Sequence, residues 1–350
     1  MKTKTVIKKS IIPFIFTLLL IAALVISDRV LCFKTEHGVR QARDFYAQPR
    51  NTIDVAFLGS SHIHCDINTA LLWRDYGIAA CDYSGADQPL WITYYYMEEL
   101  LKYQSPKLVV LDLFVPAHFK SDYHYYWLED NLCGMRFSLN KLRMLRECTE
   151  SDQFWNYFPS FAVYHQRYSE LTPEDWSYVT MTKKERAAFK GYTPYYNIDP
   201  QEEPALDQDK SGGLTLKSEI YLQKIISLAA DHDIDLFFIV TPYITNSEDE
   251  LTYNRIHEIA EQNGLEFNST NYDYSVMGLD FETDFNDYSH LNYLGSCKFT
   301  DYLAKEMEKR YDLPDRRGDA RWESWDRHVE TINQNVHDAA VEKGLMEPSF

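Results

Sequence analysis

Five short apolar runs alternate with longer amphipathic segments through the middle of this chain. No other feature restricts the fold as much. The runs cover residues 53–58, 78–83, 107–114, 234–240 and 265–268. Helical patterning covers 67–76, 89–103, 216–231, 247–263 and 292–311. Apolar runs of strand length suit a sheet covered on both faces, and parallel neighbours need a crossover that a helix supplies. Right-handed crossovers then predict a flavodoxin-like three-layer α/β/α sandwich around a parallel five-stranded sheet. Sites in such sheets lie at the carboxyl ends of the strands.

The first run ends in Val55-Ala56-Phe57-Leu58-Gly59-Ser60-Ser61-His62. Gly59 permits a sharp turn, and the serines sit where a strand gives way to a loop or helix start. Backbone N–H groups there are free to face an anion. A serine hydroxyl needs a base within hydrogen-bond reach, and the base needs an orienting group. Both occur late in the chain, in Asp284-Phe285-Asn286-Asp287-Tyr288-Ser289-His290-Leu291-Asn292-Tyr293-Leu294-Gly295. Asp287 and His290, three residues apart, face one side of a helical turn or tight loop. Asp284 competes with Asp287 as the orienting carboxylate.

These two blocks resemble the SGNH/GDSL hydrolase superfamily, which opens with Gly-Asp-Ser after a strand and closes with Asp-x-x-His. The closing block, continued as Leu291-Asn292-Tyr293-Leu294-Gly295, fits in full. The opening block has Ser60 where the family usually has Asp. Gly-Ser-Ser is similar to extracytoplasmic branches such as the alginate O-acetyltransferases and the teichoic-acid D-alanylation proteins. The resemblance spans roughly residues 52–310 and implies Ser61 as nucleophile, His290 as base and Asp287 as its orienter. It also implies that the N–H groups of Ser61 and of Gly85, after the second strand, form an oxyanion hole. Gly85 has a plain alternative as a turn glycine. The family's Gly-x-Asn-Asp after the third strand is missing, since Phe114-Val115-Pro116 stands there, so a third donor is unassigned. Gln88 and His62 are candidate substrate-binding residues. A metal reading of His62-x-His64 lacks a third ligand. No metal or cofactor is expected.

The N-terminus carries a targeting signal. Lys2, Lys4, Lys8 and Lys9 precede an uncharged run from Ser10 to Ser27. Eighteen residues span about 27 Å as a helix, near the lower limit for a membrane crossing. The basic flank places the N-terminus inside and the rest outside. A cleaved signal peptide is the competing reading, with Val25 and Ser27 near a cleavage point but no Ala-x-Ala. The expected organisation is a cytoplasmic tip and signal anchor over 1–33, a stalk or short helix over 34–51, a hydrolase-like domain over 52–311 and a helical tail over 312–350. The tail holds Trp322 and Trp325 and shows no chemistry.

Residues 115–215 interrupt the alternation and read as a lid or subdomain over the strand ends. The segment is rich in Tyr and Trp, including Tyr126, Trp127, Trp155, Tyr168 and Trp176, and contains Lys141, His165 and Arg167. Aromatic faces with polar tips suit sugar rings, and they also suit packing within the insertion itself. With 35 Lys and Arg against 53 Asp and Glu, the net charge of −18 argues against a nucleic-acid partner. Six cysteines without a C-x-x-C pair point to neither a zinc knuckle nor a redox motif.

The expected protein is a single-pass cell-membrane serine esterase or O-acyltransferase with an extracytoplasmic catalytic domain. Its substrate would be an acylated carbohydrate or other small ester, and a membrane acyltransferase is a candidate partner. The contrasting expectation is a non-catalytic partner of such an acyltransferase that binds glycan through the same cleft.

Overall fold

The structure is a computed structural model that describes residues 2–205, 210–269 and 273–343. Its centre is a five-stranded sheet of β1 (Val55–Leu58), β2 (Ala80–Asp82), β3 (Leu108–Asp112), β4 (Asp235–Val240) and β5 (Glu266–Ser269). The strand order is β2-β1-β3-β4-β5, and every neighbouring pair is parallel. Val55 lies opposite both Ala80 and Leu108, which fixes the register at the centre.

Alternate residues of the strands enter two separate cores, as the two-residue repeat of a strand requires. Ala56, Leu58, Val109, Leu111, Leu236 and Phe238 pack on one side, with residues of the helices Leu90–Leu100, Leu216–Asp231 and Ser247–Gln262. Val55, Phe57, Leu108, Val110, Phe237 and Ile239 pack on the other, with residues of the helices Ser61–Asp66, Thr69–Tyr76 and Tyr293–Arg310. This is the three-layer α/β/α sandwich with a parallel five-stranded sheet that the alternation predicts.

An N-terminal helix, α1 (Lys2–Leu31), precedes the sandwich. Its segment Ile11–Leu31 is long and apolar enough to cross a membrane, with a mean hydropathy of 2.5. The end of α1 is held by the fold. Asp28 pairs with Arg43 at 3.3 Å and accepts from the Tyr164 hydroxyl, and Arg167 donates to the Leu31 carbonyl at 2.7 Å.

Residues 34–51 pack into the fold. They contain a second helix, α2 (Val39–Phe45), whose Val39, Ala42 and Phe45 are buried. Phe45 stacks on Tyr83 with ring centroids 4.3 Å apart. The polar residues that gave the segment its stalk-like look are paired: the Asp44 carboxylate accepts from Tyr178 and Arg186, both at 2.8 Å.

After β3 the chain makes short helices, among them Phe114–His118, Leu128–Cys133, Leu139–Cys148 and Pro173–Thr180. It returns beside the edge strand β2, where the Asp82 amide donates to the Lys190 carbonyl at 2.8 Å. The last described helix, Glu323–Glu342, lies on Thr69–Tyr76. Trp322 and Trp325 are buried, and their indoles donate to the Thr52 and Ala80 carbonyls at 2.8 and 2.9 Å. An indole in a core keeps its N–H satisfied in this way.

Candidate active site

The turn after β1 is shaped by Gly59. Its φ is 144°, and a Cβ there would stand 2.6 Å from the Asp112 Cβ. Only glycine allows that close approach of β1 and β3. Ser60 then caps the third helix, α3 (Ser61–Asp66), by accepting from the His62 amide. The Ser60 hydroxyl donates to Asp112 at 2.7 Å, and its amide donates to the same oxygen at 3.2 Å. Burial pushes the Asp112 carboxyl up to about 6, against the hydrogen bonds from Ser60 and Phe114.

Ser61, one residue on, faces the other way. Its Oγ lies 2.9 Å from His290 Nε2. On the far side of the ring, Nδ1 is 3.2 and 3.3 Å from the two Asp287 oxygens. Asp287 also accepts from the Ser289 and His290 amides and from the Asn286 side chain, at 2.8 to 2.9 Å. That carboxylate has no freedom to turn away. With Nδ1–H given to Asp287, the Nε2 lone pair is left to accept the Ser61 proton.

The charges agree with the geometry. Burial opposes a charge on His290, but the Asp287 hydrogen bond and the carboxylates of Asp66 and Asp287 outweigh it, so the imidazole pKa is raised. Burial pulls Asp287 the opposite way, and the His290 pairing and amide donors overcome it, so its pKa is lowered. Asp284 is not part of this group. It is buried and paired with Lys298 at 2.6 Å, and it accepts from the Asp280 amide.

Three expected site residues are placed differently. His62 is fully buried, stacked on Phe114 at 3.7 Å, with Nδ1 2.7 Å from Thr241 Oγ1 and Nε2 3.1 Å from Ser289 Oγ. Both nitrogens are used, so a substrate finds no donor or acceptor there. Gln88 is buried too, donating to Asn131 at 2.9 Å and accepting from Thr93 at 3.0 Å. The Gly85 amide donates to the Gly59 carbonyl at 3.2 Å, which extends the β1–β2 pairing and leaves no N–H for an oxyanion in this conformation. A Cβ at Gly85 would meet Asn131 Oδ1 at 2.2 Å, so packing alone requires a glycine. Asn131 in turn gives its amide hydrogens to the Ala86 and Trp127 carbonyls. The Ser61 amide, at the first position of α3, has no acceptor within its own helix. His64 does not join His62 in a ligand set; its Nδ1 is 3.0 Å from Ser84 Oγ.

Other residues complete the site without having stood out in the sequence. Asp66, in the last turn of α3, accepts from the Leu291 amide at 3.0 Å and from the Thr241 hydroxyl at 2.7 Å. Burial raises its pKa to about 8. The i, i+4 spacing of His62 and Asp66, and the position of Thr241 at the carboxyl end of β4, were the available signals. Tyr195, from the returning insertion, sets its ring edge against His290 with centroids 5.6 Å apart. Nothing local in sequence marks it.

No protein-family model matches the chain, and no curated protein is similar to it in sequence. Among solved structures, one described as "a putative acylhydrolase" from Bacteroides fragilis NCTC 9343 superposes with a TM-score of 0.39 at 11% identity, covering 77% of this chain and 95% of that one. An acetyl xylan esterase superposes with a TM-score of 0.36 at 12% identity, covering 72% and 98%. Neither superposition is close enough to bear on function.

Proposed function

We propose that the protein is a serine esterase or O-acyltransferase of the SGNH type, held at a membrane by α1. The observation that carries this reading is the continuous chain Ser61–His290–Asp287, with a 2.9 Å hydroxyl–imidazole contact and a carboxylate fixed behind the ring. Ser61 Oγ attacks the ester carbonyl carbon while His290 Nε2 takes its proton. The tetrahedral oxyanion meets the Ser61 amide. His290 then returns the proton to the leaving alkoxide, and the acyl group stays on Ser61. A second acceptor, water or a sugar hydroxyl, gives its proton to His290 and takes the acyl group, and His290 returns that proton to Ser61 Oγ as the acyl bond breaks.

The preferred substrate class is an O-acetylated cell-envelope glycan. Support comes from the resemblance to extracytoplasmic O-acyltransferases and from exposed rings in the insertion, such as Tyr126 and Trp155. The test is acetate release or transfer from a panel of acetylated glycans and small acetyl esters, comparing the full chain with Ser61→Ala. Turnover lost in the variant supports the reading.

One observation favours the second reading, a non-catalytic glycan-binding partner of a membrane acyltransferase. The Gly85 amide is committed to Gly59, so the oxyanion site is short of a donor. Binding of the same glycans without turnover by either form would carry that reading.

A further inference from the structure

A sizeable cavity lies away from Ser61. It has a volume of about 640 Å³, and none of Ser61, Asp287 or His290 lines it. It opens where α1 leaves its apolar stretch, with Asp28 and Arg29 on its wall.

Its charge is opposite to that of the chain. The wall carries Arg29, Arg43, Arg136, Lys141 and Arg186 against the single acid Asp28, in a protein whose net charge is −18. Two of the cations are already paired, Arg43 with Asp28 and Arg186 with Asp44. Arg29, Arg136 and Lys141 have no carboxylate within ion-pair distance among the described residues. Lys141 is buried and, among the described residues, donates only to the Met135 carbonyl, at 2.8 Å. An ammonium buried without a counter-ion is costly, and an incoming anion would relieve that cost.

The cavity is also apolar in part. Phe137, Phe158 and Phe161 line it, and Phe137 is 72% exposed. Around it, Tyr168 and Trp176 are exposed on two helices that pack on α1. Trp and Tyr at the end of an apolar helix mark the level of lipid headgroups. Because Asp28 and Leu31 are tied to the fold, the cavity is held at that level.

We propose that this cavity binds the phosphate headgroup of an anionic glycerophospholipid. Arg29, Arg136 and Lys141 meet the phosphate, and the phenylalanines meet the first methylenes of the acyl chains. The proposal rests on α1 being an uncleaved membrane anchor. It does not depend on what Ser61 does.

The test uses the full chain in a neutral detergent, with bound lipid counted by native mass spectrometry. The probes are dihexanoylphosphatidylglycerol, dihexanoylphosphatidylcholine and inorganic phosphate. One phosphatidylglycerol per chain is expected in preference to phosphatidylcholine, undisplaced by excess phosphate. Arg29→Gln with Arg136→Gln should weaken that binding by at least about tenfold, since two charge-assisted hydrogen bonds are lost. Both arginines border the surface, so the melting temperature should hold; Lys141→Met is the deeper variant and should weaken binding further. Equal binding of the two lipids, displacement by phosphate, or unchanged affinity in the variants overturns the proposal. A mature chain beginning near Asp28, or one released from membranes by carbonate, removes the anchor itself and the proposal with it. A retained full chain without lipid preference removes the proposal alone.

Discussion

The Asp66 carboxylate accepts a 3.0 Å hydrogen bond from the amide of Leu291, 225 residues away. Asp66 ends the helix that Ser61 begins, and Leu291 follows His290. This bond therefore ties the helix that carries the hydroxyl to the segment that carries the imidazole. The His62–Ser289 contact, from the same helix to the residue before His290, is a second tie.

If that tie positions the base, Asp66→Leu should lower kcat by about 10²-fold with little change in KM, since a misplacement of about 1 Å is enough for such a loss. Asp66→Asn keeps an acceptor for Leu291 and should recover most of the rate. Steady-state kinetics on a small acetyl ester checks both, and equal losses in the two variants would count against positioning.

The two carboxylates of the closing block should separate cleanly. Asp287→Asn is expected to cost about 10²–10⁴-fold in kcat, because it favours the wrong imidazole tautomer. Asp284→Asn removes the buried partner of Lys298 and should lower the melting temperature with a smaller kinetic effect. Thermal melts read beside kcat distinguish them.

The rate should fall as pH drops, because protonated His290 cannot accept the Ser61 proton. The midpoint of that acid limb of kcat/KM is expected above the ordinary histidine value, since the hydrogen bond to Asp287 raises the pKa against burial. In Asp287→Asn the main raising contact is lost and burial remains, so the midpoint should move down. A pH–rate profile of both proteins measures the shift. Raised in the fold, His290 also adds stability that is full below its unfolded pKa and lost as pH rises through the folded one.

Ser60→Ala should reduce stability and leave the Ser61 hydroxyl in place. It removes the 2.7 Å bond to buried Asp112, a loss of about 1–3 kcal/mol. Asp112 already sits near 6, above its unfolded value, so the folded state holds the extra proton and loses stability as pH rises through that range. Without Ser60 the carboxyl is pushed higher still. The stability gap between wild type and Ser60→Ala, measured by urea unfolding, should widen as pH rises above about 6.

Much of the fold was legible because its signals are local. The apolar runs at 53–58 and 107–114 read as strands since both faces of each strand are covered, and the pairing of Asp287 with His290 followed from their spacing. The misplaced residues depend on contacts across the chain. Gln88 is polar and near a strand end, yet Asn131 and Thr93 absorb it. The polar residues of 34–51 looked solvated until Arg186 and Tyr178, from the insertion, closed on Asp44. Trp325, in the tail, buries its indole on the Ala80 carbonyl, a contact that spacing within the tail does not reveal.

The most direct test of the central claim is covalent. The full chain is treated with a fluorophosphonate probe, and the modified peptide is mapped by mass spectrometry in wild type, Ser60→Ala and Ser61→Ala. A single adduct is expected on Ser61 in wild type and Ser60→Ala, and none in Ser61→Ala. An adduct on Ser60, or no adduct on a folded wild-type chain, would contradict it.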